Sequence, residues 1–193
     1  MNTAFDLLSG VSWCVVYVTA LVLGIKHKTW CIPRIAICQN FAWEFWIVIS
    51  KYVSGAAVSV GYVVQLSWLI LDIMLVAIWL WYERKHLVRN ILLFSFILAV
   101  MYLLAYQAKQ WAYMAYIINV VMSALFLLRL HRDPGQWVSM TIAVWKLVGT
   151  VAATIVGGLV NRHAPILWLG GLCLILDIAY LYVLFGYKKE CSI

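Results

Sequence analysis

The stretch Asn40-Phe41-Ala42-Trp43-Glu44-Phe45-Trp46 places one carboxyl group, that of Glu44, in the middle of an apolar run. No other charged residue lies between Arg34 and Lys51. An acid at the centre of a membrane helix costs roughly 2.5–3.5 kcal/mol on insertion scales, so such a residue is usually turned toward the protein interior and has a function there. The stretch therefore predicts a membrane helix with an inward-facing acid.

Composition extends this prediction to the whole chain. The 193 residues are 66% hydrophobic and only 11% charged, and their mean hydropathy is +0.98. A helix needs about 20 mostly apolar residues to span the hydrocarbon of a bilayer, and charged or Pro/Gly clusters divide the chain into seven such segments. We predict one all-α membrane domain, residues 1–193, that is a bundle of seven transmembrane helices. These helices are expected near 5–24, 35–51, 58–81, 88–107, 111–129, 137–160 and 165–187.

The distribution of lysine and arginine predicts the orientation, because cytoplasmic loops carry an excess of both. Ten of the 14 basic residues fall on one side of the predicted bundle, namely Lys26, Lys28, Arg34, Arg84, Lys85, Arg89, Arg129, Arg132, Lys188 and Lys189. The opposite side has only Lys51, Lys109 and Arg162. We therefore expect the N-terminus outside and the C-terminus in the cytoplasm. Topology and anionic lipid explain the net charge of +7, and nucleic-acid binding is not expected.

Four ionisable residues lie at similar predicted depths inside the membrane: Glu44, Asp72, Lys146 and Asp177. A common polar pocket between the second, third, sixth and seventh helices is therefore possible. Three acids and one base leave at least one carboxyl group without a cationic partner, and such a group stays protonated in a low-dielectric site. A buried protonated carboxyl group can act as a proton relay or as a general acid.

Residues at helical spacing show what accompanies these charges, since positions i, i+3, i+4 and i+7 share a face. Aromatic and small polar side chains fall beside each acid, which predicts a cavity that is polar at a few points and otherwise lined by rings. Aromatic faces stabilise a nearby cation by roughly 0.5–2 kcal/mol each. The residues expected to line this cavity, in addition to the acids, are Asn40, Trp43, Trp68, Asn119, Trp145, Lys146, Trp168 and Tyr180.

Motifs for metals and cofactors do not occur in the sequence. It has no aspartate-rich run of the DDxxD type that would hold magnesium and a diphosphate. It also has no glycine-rich phosphate loop, and its five cysteines form no CxxC pair. We therefore predict no metal site and no cofactor, and expect the partners to be the bilayer and a hydrophobic small molecule.

Several segments resemble one known family. Residues 10–13, GVSW, 26–29, KHKT, and 40–45, NFAWEF, look like the beginning of the membrane-bound terpene cyclases of fungal and bacterial meroterpenoid pathways, the pyripyropene-type family. Residues 176–180, LDIAY, are similar to the pattern of that family's last helix. The chain departs from the family in the middle, because Asp72 stands where a family member has asparagine.

The stretch from Ser139 to Gly149 also resembles the family, with Lys146 where the family has arginine. The resemblance implies a seven-helix enzyme in which Glu44 and Asp177 are the essential acids. It further implies metal-independent, proton-initiated cyclisation of a linear polyprenyl chain, most simply a farnesyl group on an aromatic compound or its terminal epoxide. Which of the two acids donates the proton stays open, as does the role of Asp72 as an extra acid or a polar filler.

A second function is compatible with the same residues. A small proton-coupled transporter could use the intramembrane acids as a relay, although no internal repeat of the kind common in carriers is visible. Without the resemblance, the residues leave enzyme and carrier equally open. Short loops and a compact chain favour a bacterial cell membrane over a fungal endoplasmic reticulum as the location.

Overall fold

The computed structural model of the chain describes residues 2–108, 111–132 and 139–190, and within this part it contains helices but no strand. The predicted all-α class is confirmed for these residues. The helices are α1 (Asn2–His27), α2 (Arg34–Val53), α3 (Val60–Tyr82), α4 (Leu87–Ala108), α5 (Trp111–Arg132), α6 (Met140–Thr154) and α7 (Ala164–Glu190). A short 3-10 turn, Arg84–His86, joins α3 to α4.

Six of these helices are long and apolar enough to cross a membrane. The exception is α2, the helix that carries Glu44. The six spans are compatible with a multi-pass membrane protein, whereas the predicted count of seven spans depends on α2. The spanning segments are Ala4–His27, Val60–Tyr82, Arg84–Leu104, Ala112–Arg132, Met140–Val160 and Ala164–Tyr187.

The helix ends follow local sequence signals. Ser59 caps α3 by accepting a hydrogen bond from the Tyr62 N–H at 3.2 Å, and Ser139 caps α6 in the same way with Ile142. Beyond the end of α2, Gly55 adopts a left-handed φ of 64°, a conformation that glycine reaches without a steric penalty. These caps fix where the chain turns between successive helices.

The bundle is apolar outside and polar at several points inside. Large apolar side chains on the outer faces of α1, α4 and α7 are more than half exposed, among them Val22, Phe96 and Ile175. Exposing a surface of this kind to water is unfavourable, whereas lipid can cover it. In the interior, α1 packs against α3 and α6, α2 packs against α3, α4 and α5, and α7 packs against α5 and α6. The polar side chains described below lie where these helices meet.

The predicted helix over 137–160 is not continuous in α form. Residues 137 and 138 lie outside the described part of the chain, α6 ends at Thr154, and Ile155–Val160 form a wider π-helical segment. This segment contains Gly157, at which an added Cβ would lie 2.9 Å from Ile166 Cγ2 and 3.0 Å from the Tyr116 hydroxyl. The wider turn therefore lies where neighbouring helices approach each other closely. Single π turns inside α-helices often occur at functional sites.

Contact between α6 and α7 is similarly close at Gly170, and it yields a first prediction. A Cβ at Gly170 would overlap the Thr154 side chain, which is buried and donates a hydrogen bond to the Thr150 carbonyl oxygen. Gly170→Ala should therefore lower the unfolding free energy by about 1–3 kcal/mol, the usual range for an overpacked core. Thermal unfolding of the purified protein in detergent measures the effect.

The matched control is Gly171→Ala, because no atom lies within 4 Å of a Cβ at Gly171. This variant should melt at or slightly above the wild-type temperature, since alanine favours a helix. Equal melting temperatures for the two variants would contradict the packing of α6 on α7 described here.

Candidate active site

A cavity of about 590 Å³ opens at the end of the bundle where α1, α3 and α5 begin and α2 and α6 end. Its volume lies within the roughly 300–1,000 Å³ typical of small-molecule sites. Most lining side chains are apolar or aromatic, and the polar ones converge at a few positions. The aromatic lining residues are Trp13, Tyr17, Trp43, Trp68 and Tyr116, and the polar ones are Asp6, Ser9, Asn40, Glu44, Gln65 and Asn119.

Glu44 lies in the wall of this cavity, and its side chain is only 2% exposed to solvent. The Tyr17 hydroxyl donates to Glu44 Oε1 at 3.4 Å, and Asn40 Nδ2 donates to the Tyr17 oxygen at 2.7 Å. Within the described residues, the second carboxyl oxygen, Glu44 Oε2, has no hydrogen-bond partner. The hydrogen bonds thus run from Asn40 of α2 to Tyr17 of α1, and from Tyr17 to Glu44 of α2. They hold one oxygen of the Glu44 carboxyl group in place.

Asp72 of α3 lies directly against Glu44. The side chain of Asp72 is 1% exposed, and the two carboxyl groups are within hydrogen-bonding reach of each other. Neither oxygen of Asp72 receives a hydrogen bond, however, and the same holds for Glu44 Oε2. Carboxylates are acceptors only, so this contact becomes a hydrogen bond only when at least one of the two groups carries a proton.

Lys146 and Asp177 form a second buried cluster with a different character. Lys146 Nζ donates to Asp177 Oδ1 at 2.5 Å and to Ser123 Oγ at 2.6 Å. The other oxygen, Asp177 Oδ2, lies 3.2 Å from the Thr150 hydroxyl. Both oxygens of Asp177 therefore have partners, and one of these partners is a cation. This cluster links α5, α6 and α7.

Two rings of α1 connect these clusters. Lys146 Nζ lies 5.8 Å from the centre of the Trp13 ring, and the Trp13 and Tyr17 rings are 5.9 Å apart. The sequence predicts one pocket between the second, third, sixth and seventh helices, and this set of helices is wrong. Helices α1 and α5 line the cavity and no described residue of α7 does, and Asp177 is instead paired with Lys146 of α6.

Four of the predicted lining residues do reach the cavity. Asn40 and Trp43 lie beside Glu44, and Trp68 faces it from α3, with its Nε1 donating to the Gly10 carbonyl oxygen at 3.2 Å. Asn119 lies in the α5 wall, where its Nδ2 donates to the Thr150 hydroxyl at 3.1 Å. Asn119 is therefore the point at which the Asp177 cluster touches the cavity wall.

The three other aromatic residues predicted to line the cavity lie elsewhere, and so do Lys146 and Asp72. Trp168 is 77% exposed on the outer face of α7, because the inward face of that helix passes through Ile166 and Gly170 on either side of it. Tyr180 is buried one turn below Asp177, where its ring packs 5.4 Å from that of Phe126. Trp145 packs half-buried against the hydrophobic core, since it precedes Lys146 and therefore points in another direction.

Sequence reasoning missed Trp13 and Tyr17, which the cavity and both clusters use. The signal was present, because these residues are four apart on α1 and share a face with Ser9 and Gly10. No charge marks that face, so charge alone could not reveal it.

Within the described residues, no three His, Cys, Asp or Glu side chains are grouped so that they could hold a metal ion. No protein-family model, no curated protein and no solved structure matches this chain. None of these comparisons identifies a terpene cyclase family, and the geometry of the cavity is therefore the starting point for any assignment of function.

The Lys146–Asp177 pair leads to a second prediction. Removing one partner of a buried ion pair leaves an uncompensated charge and costs roughly 3–5 kcal/mol, whereas replacing both by apolar residues is far less destabilising. Lys146→Met and Asp177→Leu should each lower the melting temperature strongly, and the double variant should recover most of the loss. Thermal unfolding in detergent measures all three.

The Arg34–Glu83 pair provides the comparison. Its atoms are 3.3 Å apart, but the arginine side chain is 42% exposed, and Glu83 also accepts from Trp79 and Asn90. Arg34→Met should therefore cost less than about 1 kcal/mol. If the Lys146/Asp177 double variant were no more stable than the single variants, the two side chains would not be a compensating pair.

Proposed function

We propose that this chain is an integral membrane terpene cyclase that protonates a linear polyprenyl chain and guides the resulting carbocation through cyclisation. The substrate would be a farnesyl group on an aromatic or meroterpenoid compound, or its terminal epoxide. The reaction would need neither a metal nor a cofactor. The observation that carries the proposal is Glu44, an acid without a cationic partner in the wall of an apolar, aromatic cavity.

The surroundings of Glu44 suit a proton donor for weak bases. Burial removes the water that would otherwise compete for the proton or quench a cation. An epoxide oxygen or a terminal alkene is protonated only by an acid held dry and in contact with it. Tyr17 and Asn40 fix the orientation of the carboxyl group, so its position relative to a bound chain is set before the substrate arrives.

Aromatic rings suit the steps that follow protonation. Trp13, Trp43 and Trp68 line the same cavity as Glu44. Each ring can stabilise a cation by roughly 0.5–2 kcal/mol without attacking it as a nucleophile. Successive double bonds of the substrate would then attack the cation, and loss of a proton would end the cascade. These rings would also hold the chain in the folded shape that ring closure needs.

Asp177 has a different part in this proposal from the one that the resemblance implies. Its two oxygens are occupied by Lys146 and Thr150, and it does not line the cavity. We therefore assign the donated proton to Glu44 and a supporting role to Asp177, which holds Lys146 and, through Thr150, the cavity residue Asn119.

Seven membrane spans and a cytoplasmic C-terminus belong to the same proposal. The 20 residues of α2 make a helix about 30 Å long, enough to cross the hydrocarbon. Its acid and amide are buried against neighbouring helices, so a lower apolar content does not expose polar groups to lipid. With the basic connections in the cytoplasm, the cavity opens on the outer side. A bacterial cell membrane is the proposed location.

A proton-coupled transporter is the competing function. A carrier exposes its site to the two sides of the membrane in turn, and in this structure the cavity is lined by the ends of helices on one side only. Beyond Tyr17 and Met122 the interior is filled by a hydrophobic core that includes Trp79, Phe126 and Tyr180. The geometry therefore favours a reaction chamber over a path.

The third prediction tests cyclisation directly. Membranes that contain the protein, with EDTA present, are incubated with farnesylated aromatic compounds and their terminal epoxides, and products are analysed by mass spectrometry. Because proton-initiated cyclisation is an isomerisation, we expect a product of unchanged mass and shifted retention. Glu44→Gln should lower its rate at least about 100-fold, since general acid catalysis contributes roughly 10²–10⁴.

Two tryptophans serve as a matched pair in the same assay. Trp68→Ala removes a ring from the cavity and should slow cyclisation roughly 2- to 30-fold, which corresponds to the cation stabilisation of one ring. Trp168→Ala changes only the lipid-facing surface and should leave the rate unchanged. If the folded protein isomerises no substrate in the panel, and liposomes that contain it show proton-coupled uptake, the protein is a transporter and not a cyclase.

A further inference from the structure

The contact between Glu44 and Asp72 has a consequence for the chemistry of the acid. Three buried oxygens lack a hydrogen-bond partner in the part of the chain that the structure describes, namely Glu44 Oε2, Asp72 Oδ1 and Asp72 Oδ2. Both side chains are at least nine-tenths buried. An ionised carboxyl group in such a place would need a cation or several donors, because a low-dielectric interior does not tolerate an isolated charge.

The groups that face this pair supply no positive charge. From α1 the pair interacts with Tyr17 and Cys14, and from α2 Asp72 interacts with Cys38. Lys146 of α6 is committed to Asp177 and Ser123. Among the described residues, the pair is therefore offered one hydrogen-bond donor, the Tyr17 hydroxyl, and no cation.

We propose that Glu44 and Asp72 both carry protons at rest and act as one unit, in which Asp72 donates a hydrogen bond to Glu44 and Glu44 presents its own proton to the cavity. Two adjacent carboxyl groups cannot both ionise, and the neutral pair is the state that needs no cation. Glu44 is the member that meets the substrate, because it lines the cavity and Asp72 does not. Asp72 is a positioning residue, not a catalytic one. This inference rests on the proposed cyclase function for its catalytic part only.

The second proton makes Glu44 a stronger donor. When the Glu44 O–H bond breaks, the proton forms an O–H bond with an epoxide or a C–H bond with an alkene, and the electron pair stays on Glu44. The new carboxylate then accepts one hydrogen bond from Asp72 and one from Tyr17, which stabilise it. A proton lost from the final cation restores Glu44, so substrate and product have the same composition.

The fourth prediction tests the protonation of the pair without any substrate. Infrared spectroscopy of the full chain in lipid vesicles at pH 7 detects the carbonyl stretch of protonated carboxyl groups, which carboxylates lack. Glu44→Gln and Asp72→Asn should each remove one such signal from the wild-type spectrum, and the double variant should remove both. Glu83→Gln is the control and should change nothing in this band, because Glu83 is paired with Arg34 at 3.3 Å and does not line the cavity. An unchanged spectrum for Asp72→Asn would overturn the proposal.

Activity then tests the role of Asp72. Asn keeps an N–H that can donate to Glu44, whereas Leu has a similar size and no donor. Asp72→Asn should retain kcat within about 10-fold, and Asp72→Leu should lose about 10²–10³ in kcat with little change in KM, as expected for a lost donor to a developing anion. Equal kcat for the two variants would overturn the positioning role. If no substrate is cyclised, the infrared result still decides whether the pair is doubly protonated.

Discussion

Every ionisable group inside an apolar bundle must be matched by a partner or be kept neutral by a proton. Among the described residues, the four ionisable groups at the centre of the bundle use both solutions. Lys146 and Asp177 neutralise each other across α6 and α7, with Ser123 and Thr150 completing their hydrogen bonds. Within the described part of the chain no cation contacts Glu44 or Asp72, and protons are the means by which the two carboxyl groups can share a buried space. The two clusters therefore differ in their chemistry. The first is an ion pair, and the second can give up a proton.

The packing of α1 keeps the two clusters apart. α1 passes between the clusters and places Trp13 beside Lys146 and Tyr17 beside Glu44. This close fit depends on Gly149 of α6, at which a Cβ would lie 3.0 Å from Trp13 Nε1. If the lysine could reach Glu44, it would hold that acid as a carboxylate and abolish its ability to donate. The tight packing of α1 against α6 thus protects the function proposed for Glu44.

The sequence alone predicts the free-energy cost of burying each individual side chain. A helical fold and the buried positions of Glu44, Asp72, Lys146 and Asp177 follow from the sequence, because hydropathy and the penalty for a membrane charge belong to single segments. Which charges pair depends on how helices pack, and this is set by shape at residues such as Gly149, which no periodicity reveals. For the same reason Trp68 was placed correctly in the cavity whereas Trp168 was not, since both occur in apolar helices with similar neighbours. Tyr17 was missed because no charge marks the face that it shares with Ser9 and Trp13, so only their helical spacing indicates it.

The central claim is that Glu44 is a protonated acid in contact with the cavity, whereas Asp177 is a paired carboxylate outside it. The most direct test is labelling with dicyclohexylcarbodiimide, an apolar reagent that adds to protonated carboxyl groups in dry sites. Membranes are treated at pH 7, and the modified residue is identified by mass spectrometry of the digested protein. We expect the label on Glu44, with Asp177 unmodified. A label on Asp177 with Glu44 unmodified would contradict the account, because it would place the available proton in the cluster that the lysine neutralises.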